Sequence, residues 1–354
     1  PDQGVFNPGN PFIRLAQTTQ TPKYQLNTSL SVGLHPQLVE YDIATSDGMN
    51  VGFNPKSTVA PGESQILYWY AGALSFNQAN ELVQTPLELG SVALAPADPL
   101  IQHRKGLIGA LLVEPQGSTW PVKAANLEVV PEYQYRYDNT GKVSIETTMK
   151  KTRAVATVVK ADGTEFRELI LAMQTDAFFW ENGKKKSVSP ALNYRSEPLE
   201  YRFSSAGFPP QSPAGTAARL SNELVTPDKA DPRLADPQTP VFTVKKGTPV
   251  RFRWIYPAGA GGDAGGSSQV PVVHGHVYQE EPYVNDSKEL GFNPLSQWVG
   301  GKLLVPGQTL DMLFPSAGGS FQIPGDYFYG TFIGQTSGDG WTQAIWGLFR
   351  VTDK

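Results

Sequence analysis

The chain has 354 residues, a net charge of −4 at neutral pH, 40% hydrophobic and only 18% charged residues, with 35 glycines and 30 prolines. The acidic balance excludes the basic footprint of a nucleic-acid binder, and no apolar run approaches the roughly 18 residues a membrane-spanning helix requires. Cysteine is absent, which excludes disulfides, thiolate metal ligands and a cysteine nucleophile.

The length accommodates two domains, and many turns with few charges predict short strands rather than helical bundles. Pro1 to Gln25 is rich in Pro, Gln and Thr. A start at Pro1 rather than methionine reads as removal of a signal peptide or a longer N-terminal region. Pro61-Gly62 predicts a turn, and Ala79 to Val83 has helical spacing over about two turns. Leu107 to Val113 reads as a buried strand. Tyr133, Tyr135 and Tyr137 alternate with Gln134 and Arg136, a strand pattern followed by a turn at Asn139-Thr140-Gly141.

Further turns are predicted at Asp162-Gly163 and Asn182-Gly183. The latter carries Lys184-Lys185-Lys186, read as a solvated hairpin tip. Residues 204–240 hold seven prolines and read as an extended surface crossing, with a short helical pattern at Ala217 to Leu224. Val241 to Val244 reads as a buried strand. In the next strand Val250, Phe252 and Trp254 face one way and Arg251 and Arg253 the other. Ala258 to Ser268 is Gly-rich but lacks the Gly-Lys-Ser/Thr ending of a phosphate loop. Pro306-Gly307 and Pro324-Gly325 are the last turn signals. Two halves share this vocabulary: a Pro-Gly turn before a strand and a closing Gly-Leu strand, at Gly106-Leu107 and Gly347-Leu348. They divide into residues 1–150 and 151–354.

The Gly-Leu strands, Tyr68-Trp69-Tyr70-Ala71, the strand pair Val241 to Trp254 and Val272-Val273-His274-Gly275-His276 together resemble the multicopper oxidase family. The stretches Gly33 to Asp42, Asn193 to Leu199 and His274 to Trp298 look most like its large multi-domain members, which include manganese oxidases. The resemblance covers most of the chain from about residue 27. It implies an all-β fold of two cupredoxin-like Greek-key β-sandwich domains and a secreted, periplasmic or cell-surface location. Only about 30 residues precede His35, so the first sandwich is short of strands. Another polypeptide segment or subunit is therefore expected to complete it, since open edges and an uncovered apolar face are costly in water. An oligomer is one form this could take.

The resemblance also locates the copper ligands, and most are missing. The ligand of Tyr-Trp-Tyr-His falls on Ala71. The pattern His-Pro-x-His-x-His-Gly-His lies over Gln269 to His276, so Gln269 and Val272 replace ligands and only His274 keeps one. The His-Cys-His motif falls on Tyr329 to Gly334, with no ligand at all. His35 lacks its paired histidine, and Lys105 stands where the partner of His103 would be. Copper is held by imidazole and thiolate, and neither alanine, valine nor glutamine replaces them.

Four histidines remain as metal candidates: His35, His103, His274 and His276. Each also reads as a hydrogen-bonded structural residue. His274 and His276, on alternate positions of one strand, would face the same side and permit a two-imidazole copper or zinc site, with Glu280 or Glu281 as the third ligand. No Gly-x-Ser-x-Gly motif supports a serine nucleophile. Asp228, Asp231 and Asp236 lack calcium-loop spacing. No catalytic residue and no cofactor are assigned, copper being the candidate. Three functions follow: a non-catalytic structural or interaction module of a larger assembly, the C-terminal part of an active large oxidase, or a weak histidine-based copper binder.

Overall fold

The computed structural model describes residues 29–98, 102–121, 130–137, 143–150, 154–175, 178–181, 184–187, 190–195, 236–237, 239–258, 268–280, 288–331 and 345–354. These residues are all β: twenty strands and two short 3₁₀ turns, with no α-helix among them. The expected all-β class is the observed one. The turns expected at 139–141 and 182–183, the helical pattern at 217–224 and nearly all of the 204–240 crossing lie outside the described residues.

The first described strands form a three-stranded antiparallel sheet of β1 (Leu34–Pro36), β4 (Gly90–Pro96) and β5 (Gly109–Val113) in the order β1-β4-β5. Among the described residues β2 (Gly72–Phe76) and β3 (Leu82–Pro86) pair only with each other, as do β6 (Val130–Tyr137) and β7 (Val143–Lys150). β8 (Val155–Val159) leads into a five-stranded sheet. Its path is β12-β9-β14-β18, from β9 (Glu165–Gln174), β12 (Ala191–Leu192), β14 (Val250–Ala258) and β18 (Gln308–Phe314), with β8 beside β9. β10 (Phe178–Glu181) and β11 (Lys184–Ser187) form a separate hairpin. β13 (Val241–Lys245), β15 (Pro271–Val273), β19 (Gly325–Thr331) and β20 (Trp346–Thr352) make a four-stranded sheet ordered β13-β20-β19-β15. β16 (Tyr278–Gln279) and β17 (Trp298–Val299) form a short pair beside it in sequence. Two pairings among the described strands are parallel, β13 with β20 and β9 with β14; parallel neighbours need crossover connections, so this unit is built from distant stretches of chain.

The four- and five-stranded sheets share one core. Alternation along β14 delivers Val250, Phe252, Trp254 and Tyr256 to it, each 0–1% exposed. Phe252 sits at its centre, 5.4 Å from the Phe242 ring and 5.4 Å from Tyr329, with Trp254 stacked at 5.9 Å. Offset and edge-on aromatic contacts of this kind add to the burial of their area.

Two local expectations change, and the surroundings of one strand face are decided. Ala79 to Val83 is not helical. Asn77 Oδ1 accepts the amides of Ala79 and Glu81, Asn80 takes φ 59°, and the chain reverses into β3. An Asn side chain that caps a turn competes with a helix on equal terms, and the left-handed residue then settles it. The strand expected at Leu107 begins at Gly109 and is only partly buried. The second face of β14, that of Arg251 and Arg253, does not meet solvent: the guanidinium side chains are 7% and 0% exposed, because β4 packs across this face. The β9-β14-β18 sheet is therefore covered on both sides.

Candidate metal centre and the buried charge cluster

Gly275 separates His274 from His276 in the left-handed region, at φ 69°. β15 ends at Val273, so the two histidines occupy a turn beyond the strand rather than alternate positions within it. The shared strand face expected for them is not formed. A glycine here costs little in backbone energy, and its φ turns the two imidazoles apart. His274 is exposed and lies 4.9 Å from the Phe328 ring. His276 is buried among Phe314, Tyr327 and Phe349, with ring separations of 4.9, 4.9 and 5.2 Å.

Both ring nitrogens of His276 are engaged by backbone. Nε2 accepts the amide N–H of Gly318 at 3.1 Å and of Gly319 at 3.2 Å. That leaves Nδ1 to carry the proton and donate to the His274 carbonyl at 2.9 Å. Burial lowers its pKa from the ordinary imidazole value, against the smaller pull of the His274 carbonyl. His276 is thus a neutral cross-brace between two turns, and it has no lone pair to give a metal. Glu280 faces Lys302 at 3.5 Å, and Glu281 lies outside the described residues. This set does not fit copper.

The other two candidates sit apart from this turn. His35 lies on β1, with Nδ1 2.9 Å from Asp47 Oδ1 and 3.1 Å from the Asp47 carbonyl. The same loop binds the first family-like motif: Trp69 Nε1 donates to the Ser46 carbonyl at 2.9 Å. His103 is buried in the 3₁₀ turn His103–Lys105, and its carbonyl accepts from Gln174 Nε2 at 2.8 Å. Among the described residues no three His, Asp or Glu side chains converge as a metal-holding group. Asp236 forms a bidentate pair with Arg350 at 2.8 and 2.9 Å.

The densest charge in the described structure lies elsewhere, between β4–β5 and β14. Arg251 pairs with Glu88, and with Glu114 Oε2 at 2.8 Å. Arg253 pairs with Glu114, with Glu168 at 3.2 Å and with Asp311 at 3.0 Å. Backbone completes the shell: the Leu290 amide donates to Glu88 at 2.7 Å, and the Ser91 amide to Asp311 at 3.0 Å. Arg251 also lies over the Phe166 ring at 3.9 Å.

Four carboxyl groups face two guanidinium groups in a dry interior, so electrostatics drives a proton onto one of them. Burial pushes Glu114 up to about 8 despite Arg253, helped by its hydrogen bond to Glu168. Burial and the neighbouring Arg253 push Arg251 down to about 9. Burial alone would lower Arg253, but Asp311, Glu114 and Glu168 hold it above the ordinary guanidinium range. Sequence reasoning missed this cluster. Its signal was single acids inside apolar runs, Leu87-Glu88-Leu89 and Val113-Glu114-Pro115, matched to the Arg-x-Arg strand. A cleft of about 320 Å3 opens beside Arg251, lined by Phe166, Leu290, Phe292 and Trp298 among others. With Arg251 committed to Glu88 and Glu114, this cleft gains no free charge from it.

No protein-family model and no curated protein matches the chain. Similar solved structures include a multicopper oxidase, mgLAC, at 16% identity, with 92% of this chain and 71% of that chain covered and a TM-score of 0.43. A blue copper oxidase from Nitrosomonas europaea aligns at 15% identity over 92% of this chain and 70% of its own, TM-score 0.43. A copper nitrite reductase from the same organism aligns at 14% over 93% and 76%, TM-score 0.41. Likenesses of this size transfer no residue role and no activity to the chain.

Proposed function

We propose that this chain is a multicopper-oxidase-like sandwich protein without an autonomous copper centre, acting as a structural or interaction module of a larger assembly at the cell exterior. One observation carries the reading. His276, the best-placed imidazole beside a family-like ligand position, spends both ring nitrogens on backbone. The sequence offers no thiolate to replace it. A type 1 copper needs that soft ligand, and a cluster that reduces dioxygen needs several imidazoles in one place.

A second reading is kept because His274 is exposed. In it the chain is part of an active large oxidase and lends this single imidazole across an interface to a site completed elsewhere.

Copper titration of the purified chain separates the two. The module reading expects no absorption band near 600 nm, no oxygen uptake with a phenolic substrate and no copper retained after gel filtration. Copper absent from the isolated chain but held stoichiometrically when the chain is purified with its assembly, and lost there in His274→Ala, favours the second reading. A blue band or turnover in the isolated chain overturns the first.

A further inference from the structure

We infer that the β2–β3 hairpin is a docking site for a separate polypeptide, one that adds an extended segment of about six residues with apolar alternate positions and a basic residue at each end. The inference rests on the module reading and names the chemistry of the partner.

Apolar exposure is concentrated in one part of the chain. Among the described residues, 12 of the 21 exposed large apolar side chains fall between Leu30 and Val83. The buried residues of the core shared by the two large sheets, by contrast, come from Leu169 onward among the described residues. Scattered exposed apolar residues need no explanation, but a contiguous apolar face such as the one this hairpin carries marks an interaction surface.

Within this region the hairpin is built without support. The register pairs Phe76 with Leu82 and Leu74 with Gln84, so Leu74, Phe76 and Leu82 share one face. They are 37%, 69% and 52% exposed. Neither strand has a further hydrogen-bonded neighbour among the described residues. A lone two-stranded hairpin is marginal in water, and this one is held at its tip by the Asn77 side chain, which also donates to Glu81 at 2.9 Å. The strand edges and the apolar face are thus presented together, the arrangement that accepts an added strand.

Charge selects the occupant. Residues 29–98 carry seven carboxylates and one lysine, Lys56. Asp47 and Glu88 are buried and paired. Two exposed carboxylates bracket the hairpin. Glu81 stands at its tip, and Glu40 stands at its base, bridged to Tyr70 by backbone bonds of 3.0 and 2.8 Å. From Tyr70 to Phe76 an extended chain spans roughly 20 Å at about 3.3 Å per residue. A segment of matching length with Lys or Arg at both ends satisfies the apolar face and both carboxylates. A second copy would bring the same acidic surface and be repelled, as would nucleic acid.

The test uses the full chain and three labelled heptapeptides, RVTVTVK, EVTVTVE and RSTSTSK, followed by fluorescence anisotropy at about 50 mM salt, where the Debye length still reaches across the site. RVTVTVK is expected to bind at least tenfold more tightly than either control. Phe76→Ser and Glu40→Lys should each weaken it at least fivefold while leaving the circular dichroism spectrum unchanged; Glu40 is tied to Tyr70 through its backbone alone. Equal binding of all three peptides, no binding of RVTVTVK, or concentration-dependent dimerisation in sedimentation that Phe76→Ser abolishes, overturns the proposal. The module reading is judged separately by copper titration, which does not involve this hairpin.

Discussion

Arg253 and Glu114 meet in the dry seam between the first sheet and the central one, 139 positions apart in the chain and 0% and 1% exposed at their side chains. The pair belongs to a cluster whose members each satisfy another, so its energetic meaning lies in what remains when one is removed. Arg253→Met should destabilise the fold by about 3–5 kcal/mol, because Glu168 and Asp311 then lose their shared counter-charge and Glu114 loses a donor. Replacing Glu114 and Arg253 together by apolar residues should cost less than Arg253→Met alone. Denaturant unfolding of the two variants checks the order.

The same cluster makes stability depend on pH. The Glu114 carboxyl titrates at about 8 when folded, against about 4.3 for an unperturbed glutamate. A raised folded value means the folded state holds the proton more tightly. Its contribution is therefore complete below about pH 4 and is lost as pH rises through 8. Glu114→Gln should flatten the decline in stability between about pH 5 and 9, read as the difference between wild-type and variant unfolding curves.

His276 acts with the opposite sign. Burial lowers its pKa, so the folded state resists protonation, and a proton on Nε2 would confront the amides of Gly318 and Gly319. Its contribution is complete above the ordinary imidazole value of about 6.5 and is lost as pH falls below it, towards the folded value. His276→Ala should cost about 2–4 kcal/mol, from two stranded amides and an unfilled aromatic pocket, and should remove this acid-side dependence. Nitrogen NMR of the wild-type ring should report the Nδ1–H tautomer at neutral pH.

Gly90 begins β4 directly against the cluster, beside Ser91, whose amide and hydroxyl both donate to Asp311. It has φ 63°, and a Cβ there would fall on Asp311 Oδ2 and within 3.0 Å of Arg253 Nη1. Gly90→Ala should destabilise by at least about 2 kcal/mol, combining left-handed strain with displaced charge partners. Gly163→Ala is the control: its φ is 82°, but a Cβ there meets nothing, so only the strain remains. Thermal unfolding of both variants separates crowding from backbone strain.

Much of this was legible in short stretches of sequence. The alternation of Val250, Phe252 and Trp254 located the central strand and its core face. Asp162-Gly163 located its turn, where Gly163 takes φ 82°. The hairpin at Asn77 to Glu81 was misread as helix because spacing counts apolar positions and ignores an Asn that caps a turn. The pairing of His274 and His276 was misread because period-2 reasoning assumes an unbroken strand, and Gly275 breaks it.

The sequence by itself determined the all-β class, through strand-length alternation and dense turn residues, and it excluded any thiolate ligand, because composition alone decides that. Only the tertiary structure decided that the arginine face of β14 is buried against four carboxyl groups, and that His276 has no nitrogen free. Both depend on chain segments tens to hundreds of positions away, and the partner of a polar side chain is a property of packing, which local pattern does not encode.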